Sequence, residues 1–597
     1  MTRQFIINVF LSLFLLGICQ SLYASQNRVQ IQIEGVKGEL LDNVLAYLSI
    51  EQQKNHPRLS ASRIKRLHKQ APEEIKKALE PFGYYRADIT TAELIPPSSD
   101  KDDEAVWQAK YVIKLEDPLK ITKVLIGGSA KDEKVFQKQF DDFPLKVGDT
   151  LNQPHYEKAK RVLHNLAEEY GYFDAKFTKH EIRIDEQAYA AEILLDFESK
   201  RRYIFGPVIF NQEQFSFNES LLQRFLTFKS GDYYTFSKIL NFKNALSNSD
   251  YFEKVDVDIA HSSPTGDLHL PVNVTLNPRK QDKYAAGIGY GTDTGPRGSL
   301  EWKRRYINRY GHQFSAKAEL SQIRRSMTAR YFIPMGLRPD SFLTITAGYK
   351  DEKTDTSESE VFLVGISKHH TRTLFNKRLS EVIGIEYRDE KYAIGSDTGH
   401  ARLLMPNINW SYVDADNRIY TLNGYKIQLD VRGALDDVGS NTSFLQTRLN
   451  TIFIHQLLKD GRIIARGDVG YSAISLLSGD FHDLPPSIRF FSGGDRSVRG
   501  YDYQTLGPKN LEGQVIGGKN LLVGSLEYDH KILEKWSLAI FYDVGNAFND
   551  FSEPLKQGAG VGVRWHSLVG LIRVDVATAL SEEGTPLRLH ITIGPDL

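Results

Sequence analysis

Two periodicities divide this chain. Before about residue 280, runs with the 3.6-residue period of a helix are interleaved with runs in which every second residue is apolar, and beyond Gln281 the helical period vanishes. In the first region three landmarks recur with a period of about 80 to 90 residues, which marks an internal repeat. The clearest is a glycine-aromatic or paired-aromatic turn: Phe82-Gly83-Tyr84-Tyr85, Tyr170-Gly171-Tyr172-Phe173 and Asp250-Tyr251-Phe252. Lys-x-Gly-Asp stands upstream of the second and third copies, at Lys146 to Asp149 and Lys229 to Asp232. In the second copy Tyr156, Ala159, Val162, Leu163, Leu166, Ala167 and Tyr170 fall on one helical face, with Pro154 near the start and Gly171 placed to cap the end. Alternating strands follow the turn, with Ala191, Ile193, Leu195 and Phe197 on one side in the second copy and Leu270, Val272, Val274 and Leu276 in the third. Each copy also opens with a strand, as in Val29 to Gly35. The unit reads strand, helices, strand, strand, and a mixed sheet with helices on one face buries both apolar surfaces of so short a unit. Boundaries are expected at 26–117, 118–200 and 201–280; the first copy lacks Lys-x-Gly-Asp and carries a Pro- and Asp-rich insertion from Pro96 to Glu104.

Past Gln281, sixteen segments of eight to eleven residues alternate apolar and polar positions, from one near Tyr284 to one near Leu587. The even number suits an antiparallel transmembrane barrel over 281–597. At Ile572, Val574 and Val576 against Arg573 and Asp575, one row would meet lipid and the other the lumen. Periodicity alone also fits a water-soluble sandwich. Residues 1–24 shift the reading: Arg3, the apolar run Phe5 to Ile18 and the small Ala24 and Ser25 form a secretory signal pattern. Beyond it no stretch approaches the roughly 18 apolar residues of a membrane helix. The mean hydropathy of -0.37 does not count against a barrel, in which only alternate residues face lipid. Equal numbers of Lys+Arg and Asp+Glu, 75 each, argue against a nucleic-acid partner. The single cysteine, Cys19, lies inside the signal, and Ile18 before it is too large for lipoprotein cleavage. The mature chain therefore has no thiol.

One loop, 472–520, between the eleventh and twelfth segments, lacks strand patterning, and a loop of that length in a compact protein carries a function or is disordered. Its centre, Arg489 to Tyr501, is too aromatic and glycine-punctuated for a linker, so it is expected to pack. The flanking segments offer Glu527, in Ser525-Leu526-Glu527-Tyr528, and Asp543, in Phe541-Tyr542-Asp543-Val544-Gly545; alternation turns both inward. An arginine on a loop folded into the lumen would bind both acids as charge-assisted pairs. From composition alone, Arg499 reads more readily as one of many solvated loop arginines. Gly287, Gly289 and Gly291 in the first strand and Gly594 in the last weaken the two strands that must pair to close the cylinder. The alternative is that strand glycines make room for aromatic neighbours, as expected of Gly558, Gly560 and Gly562.

These features resemble the BamA/TamA outer-membrane assembly superfamily, in which periplasmic POTRA domains precede a sixteen-stranded barrel. Val498-Arg499-Gly500-Tyr501 matches the (V/I)RG(F/Y) motif of that family's sixth extracellular loop, Phe541-x-Asp543-x-Gly545 its thirteenth-strand motif, and Glu527 its twelfth-strand acid. The resemblance covers nearly the whole mature chain. It implies α+β repeats, three POTRA-like domains, followed by an all-β 16-stranded antiparallel barrel in the outer membrane, with the N-terminal domains in the periplasm. It also implies a salt bridge from Arg499 to Glu527 and Asp543, and a lateral seam at the strand glycines that opens in function. Three repeats and the ending Ile591 to Leu597 are similar to the TamA branch. That likeness implies a TamB-like, inner-membrane-anchored periplasmic partner and unfolded outer-membrane protein or autotransporter clients. Insertion or secretion of those clients is the implied task, with outer-membrane lipids as contacts and phospholipid transfer as an addition. Three alternatives stand beside it: a two-partner secretion transporter, whose family usually carries two POTRA domains and a plug helix; a BamA-like general insertase, which usually carries five; and a gated pore, which has no need of repeats.

No catalytic, cofactor or metal site is expected. Gly513-x-x-x-x-Gly518-Lys519 nearly spells a phosphate loop, but Asn520 replaces the magnesium-binding hydroxyl and a strand pattern follows. His369-His370 has no second cluster at ligand spacing, and no Gly-x-Ser-x-Gly elbow occurs.

Overall fold

Each N-terminal repeat buries its apolar pattern in a three-stranded sheet. In the first, β1 (Arg28–Glu34), β2 (Asp88–Ile95) and β3 (Val106–Lys114) lie in the order β1-β3-β2, with β1 parallel and β2 antiparallel to the central strand. The second repeats this arrangement with β4 (Lys120–Gly127), β5 (Lys176–Asp185) and β6 (Ala190–Glu198), in the order β4-β6-β5. The third has β7 (Ile204–Gln212), β8 (Phe252–Ile259) and β9 (His269–Pro278), in the order β7-β9-β8. In this computed structural model the described residues are 28–596 except 57–58, 98–105, 260–267, 337, 375–376, 475–479 and 568–569. The leader expected over 1–24 and most of the Pro96 to Glu104 insertion lie outside them. Two compact units result: the described residues up to Pro207 with those of Phe228–Ile239 and Ile259–Val272, and those of Val208–Thr227, Leu240–Asp258 and from Asn273 onward.

The landmarks of the repeats are structural devices. Ala191, Ile193, Leu195 and Phe197 are fully buried against the helix Gln153–Tyr170, which contributes Tyr156, Leu163 and Ala167 to the same core. That helix is started by the Asn152 side chain, which accepts from the His155 N–H at 3.0 Å, and is stopped by Gly171 at φ 81°. In both Lys-x-Gly-Asp motifs the aspartate closes a turn: Asp149 accepts from the Lys146 N–H (2.8 Å) and Asp232 from that of Lys229 (3.0 Å). At the third aromatic turn Asp250, at φ 65°, adopts the left-handed conformation that Gly83 and Gly171 adopt in the first two. Its carboxylate accepts from Lys303 (2.9 Å) and Arg305 (3.0 Å), which ties this turn to the start of the barrel.

The alternating segments form a sheet of sixteen strands, each antiparallel to the next. These are β10 (Asp282–Gly291), β11 (Gly295–Arg304), β12 (Gln313–Ser321), β13 (Arg324–Pro334), β14 (Phe342–Lys353), β15 (Ser357–Leu374), β16 (Lys377–Ile394), β17 (Asp397–Ala415), β18 (Gly424–Ala434), β19 (Phe444–Leu458), β20 (Gly461–Ala473), β21 (Asn520–Leu533), β22 (Trp536–Phe548), β23 (Lys556–Ser567), β24 (Gly570–Ala579) and β25 (Leu587–Gly594). Phe362, Val364 and Ile366 on β15 and Ile383 and Ile385 on β16 are exposed outward, as a lipid-facing row requires. Strands β15, β16 and β17 have 18, 18 and 19 residues, well beyond the eight to eleven expected and the roughly 9–11 that a tilted span needs. The hairpin that joins β16 to β17 lies at the end at which β10 finishes, hereafter the far end. There Ile394, Ala401, Leu403 and Met405 make a second core with loop residues Ile474, Phe481, Leu484, Ile488 and Ile516.

Closure departs from the expectation that the first and last strands pair. Among the described residues no ladder joins β10 to β25. At the far end the Thr292 N–H donates to the Ile591 carbonyl (3.3 Å) and the Thr292 hydroxyl accepts from the Ile591 N–H (3.0 Å), and Arg297 of β11 reaches across to the Ile593 carbonyl (3.5 Å). Two features explain the gap. Most of β10 is exposed on both faces, Ile288 at 98%, because its glycines give neighbours nothing to pack against. At the other end of β25, Pro595 lacks an N–H and Asp596 turns inward. Its buried carboxylate meets Arg462 (2.6 Å), Arg573 (2.8 Å) and the Thr421 N–H (2.9 Å), away from the edge that would face β10.

Candidate functional site

The long loop, which joins β20 to β21, is folded and packed. Phe490 bridges Gly518 and Ser492 bridges Leu506, giving the loop a short antiparallel stem. Arg489 braces the stem from within, donating to the carbonyls of Leu484 (2.7 Å), Ile516 (2.9 Å) and His482 (3.0 Å). Val498 and Tyr501 are buried with Phe490, Leu506, Leu521, Val523, Ala547 and Ala579. Gly500 has φ 100°, and a Cβ on it would come within 2.8 Å of the Thr578 carbonyl carbon, so both conformation and proximity demand glycine there.

Held by its neighbours, Arg499 projects into a set of buried acids. Its Nε and Nη2 donate to the two oxygens of Asp543 at 2.8 and 2.9 Å, and its backbone N–H adds a third bond at 3.1 Å. Its Nη1 reaches Glu527 at 3.0 Å and Asp575 at 3.2 Å. The guanidinium lies 3.4 Å from the centre of the Phe541 ring, a cation-π contact. The Phe541-x-Asp543-x-Gly545 segment thus supplies a ring, a carboxylate and a gap: a Cβ at Gly545 would stand 2.6 Å from the Leu522 carbonyl oxygen.

Two members of this set, Arg564 and Arg466, were not named from sequence, and a third, Asp575, was named only as one of the residues opposite the lipid-facing row. Arg564 pairs with Glu527 (2.9 Å) and Asp575 (2.5 Å), and Arg466 pairs with Glu527 (3.3 Å), so three guanidinium groups interlock with three carboxylates. Alternation identifies Asp575 as facing the lumen but does not say which inward residues share a height, because that depends on strand tilt and stagger. The glycines of β23 are also more than spacers for aromatics. A Cβ at Gly558 would overlap the Arg499 carbonyl, and one at Gly562 would strike the Asp575 carboxylate; only Gly560 faces an aromatic ring, that of Phe541, together with the Val576 carbonyl.

At the seam, the space that side chains would occupy is taken from the neighbouring strand: the Ser299 hydroxyl lies 2.8 Å from a Cβ built on Gly287, and the Arg297 side chain 2.7 Å from one on Gly289. Arg297 also extends toward the Ile593 carbonyl, at 3.5 Å. A Cβ on Gly594 would meet nothing within 4 Å. Of the other sequence candidates, His369 stacks on Phe342, and Lys519 of the phosphate-loop look-alike lies 5.8 Å from the Phe481 ring.

Comparison with known proteins follows the same division. Residues 308–596 match the Omp85 superfamily domain, residues 30–115 match POTRA domain TamA domain 1, and residues 119–200 and 203–279 each match a POTRA model described as a surface antigen variable number repeat. The outer membrane protein assembly factor BamA of Nitratidesulfovibrio vulgaris is 22% identical over 456 residues, covering 71% of this chain and 54% of the relative. That of Neorickettsia risticii is 23% identical over 399 residues, covering 61% and 51%. The chain thus spans about half the length of these curated relatives. The crystal structure of BamA from Haemophilus ducreyi lacking POTRA domains 1–3 superposes with a TM-score of 0.67 at 15% identity, covering 80% of this chain and 99% of that one, which shows a shared fold.

Proposed function

We propose, from the premise that this chain belongs to the Omp85 superfamily of outer-membrane barrels with periplasmic POTRA domains, that it is the outer-membrane component of a translocation and assembly module. In this reading it promotes the insertion or secretion of outer-membrane proteins such as autotransporters through the seam between β10 and β25. The observation that carries the reading is that these two strands share no ladder among the described residues. An unpaired edge in hydrocarbon costs several kcal/mol per unsatisfied group, and an incoming client strand would satisfy those donors and acceptors by strand addition. No fuel is required at the barrel. Loop and ion network keep β20 to β24 rigid, so movement concentrates at the seam.

The assignment to a module of the TamA type draws on the match of residues 30–115 to TamA POTRA domain 1 and on the number of repeats, three. A TamB-like partner anchored in the inner membrane would dock on a repeat, where the sheets offer free edges for an added strand. Passage of phospholipid along the same seam belongs to the same reading.

Because Cys19 is the single cysteine and lies in the leader, disulfides between residues 285–291 and 588–594 can be engineered without interference. Oxidised, such a lock should abolish client assembly, and reduction should restore it. Unchanged assembly with the seam covalently closed rejects lateral opening. Removal of residues 26–117 should in turn abolish co-purification of the membrane partner if the first repeat docks it; retained co-purification moves the docking site to the second or third.

A further inference from the structure

At the far end of the seam, Asp293, Asp495 and His590 present ligand atoms that all lie within 4.8 Å of one another. They come from three different parts of the barrel: the turn after β10, the long loop and β25. The arrangement looks like a metal triad, but the hydrogen bonds argue otherwise. His590 Nε2 already accepts from the Gly500 N–H at 2.9 Å, so the proton of the neutral ring sits on Nδ1. From there it donates to Asp495 Oδ1 at 2.7 Å, and neither ring nitrogen has a lone pair to spare for a cation.

The same bonds point to a different role. Asp495 Oδ1 also accepts from the Thr292 hydroxyl (2.7 Å), which in turn accepts from the Ile591 N–H (3.0 Å), and the Asp495 N–H donates to Asp293 (2.7 Å). A continuous chain therefore runs from Gly500, next to Arg499, through His590 and Asp495 to Thr292, at the end of the first strand. His590 is 2% exposed and Asp495 5%, so water competes poorly for these bonds. Thr292 also makes both hydrogen bonds to Ile591 across the seam, one through its N–H and one through its hydroxyl.

We infer that His590 and Asp495 form a clasp that couples the Arg499 loop to the seam, so that the last strand cannot leave the first without loosening the loop tip, and the loop tip cannot lift without loosening the seam. The geometry gives the clasp its direction. The Gly500 N–H has its acceptor only while His590 stays in place, and Thr292 finds Asp495 only while the loop stays down. The consequence for lateral opening rests on the function proposed above; the coupling itself does not.

Amide hydrogen exchange on the full-length protein in detergent micelles tests it, since the Gly500 and Ile591 amides are themselves members of the chain. His590→Ala should accelerate exchange at residues 494–502 of the loop and at the Thr292 and Ile591 amides together, by at least about tenfold for loss of a buried charge-assisted bond. Thr292→Val, a change in an exposed turn residue, should accelerate exchange at 494–502 although it touches the loop only through Asp495. This second variant decides the matter should the first fail to fold. Asp495→Asn keeps an acceptor oxygen but loses its charge, so it should exchange closer to the parent than Asp495→Ala, which should match His590→Ala. If Thr292→Val changes only the turn and the loop keeps its protection, the coupling is absent. Because exchange does not read client assembly, that result would leave lateral opening standing.

Discussion

The wall from β20 to β24 and the seam between β10 and β25 are built from the same kind of strand, yet they are stabilised in opposite ways. In the wall, side chains and loop backbone interlock: Arg499, Arg466 and Arg564 pair with Glu527, Asp543 and Asp575, and the glycines of β23 allow backbone and ring to pass at contact distance. At the seam the glycines stand beside flexible side chains or open space, and no ladder replaces what they omit. A glycine in a strand therefore has no fixed meaning; the atom that faces its missing Cβ gives it one. Rigidity on one side and a gap on the other let a single barrel be stable and still have a place to part.

The largest way to break the contrast is Arg499→Ala. It leaves Asp543 with neither arginine nor compensating solvent, and should cost about 3–5 kcal/mol, the usual penalty for removing one partner of a buried pair. Urea unfolding in micelles should show it as a lower midpoint, and an unchanged midpoint would mean that the network contributes nothing to stability. Asp596→Ala comes next: Arg462 keeps Asp529 at 2.8 Å but Arg573 loses its carboxylate, for a loss of about 1–3 kcal/mol. Freed of its inward anchor, β25 should also gain pairing with β10, seen as increased protection of seam amides.

A matched pair sharpens the rule about glycine. Gly560→Ala would drive a methyl into the Val576 carbonyl and should destabilise by about 1–3 kcal/mol. Gly289→Ala meets only the movable Arg297 side chain and should stay within about 0.5 kcal/mol. Equal costs at the two positions would remove the distinction. The turn after β10 adds a pH dependence. Burial, and then the neighbouring Asp495 carboxylate, push the Asp293 carboxyl, in the turn after β10, up to about 7. Because the group holds its proton more tightly folded than unfolded, the folded state gains stability as pH falls from above 7 toward the ordinary value of 3.8. Asp293→Asn should therefore be more stable than the parent at pH 8 and should lose that advantage progressively as the pH falls toward 3.8.

Sequence carries much of this design and omits a definable part. Alternation delineates all sixteen strands, and the loop expected over 472–520 lies between strands that end at Ala473 and begin again at Asn520. Alternation turns Glu527 and Asp543 inward, and the family resemblance, not composition, assigns them Arg499 as a partner. Asp575, Arg564 and Arg466 complete it only once strand stagger fixes which inward residues meet. The inward turn of Asp596 and the clasp of His590 and Asp495 are equally hidden, since Arg462 lies 134 positions from Asp596 and Asp495 lies 95 from His590, and neither pair belongs to a local pattern. Glycine spacing suggests a weak seam, but the spacing of Gly558, Gly560 and Gly562 is identical and belongs to the strongest wall. Only the facing atoms separate the two.

The contrast itself is tested most directly by native-state hydrogen exchange on the unmodified protein, comparing the seam-facing amides of β10 with those of β22. The account predicts that the β10 amides exchange at least about a thousandfold faster, since only the β22 amides need a global opening of several kcal/mol. Equal protection of the two strands would contradict it, and would mean that the first and last strands are as firmly paired as the rest of the barrel.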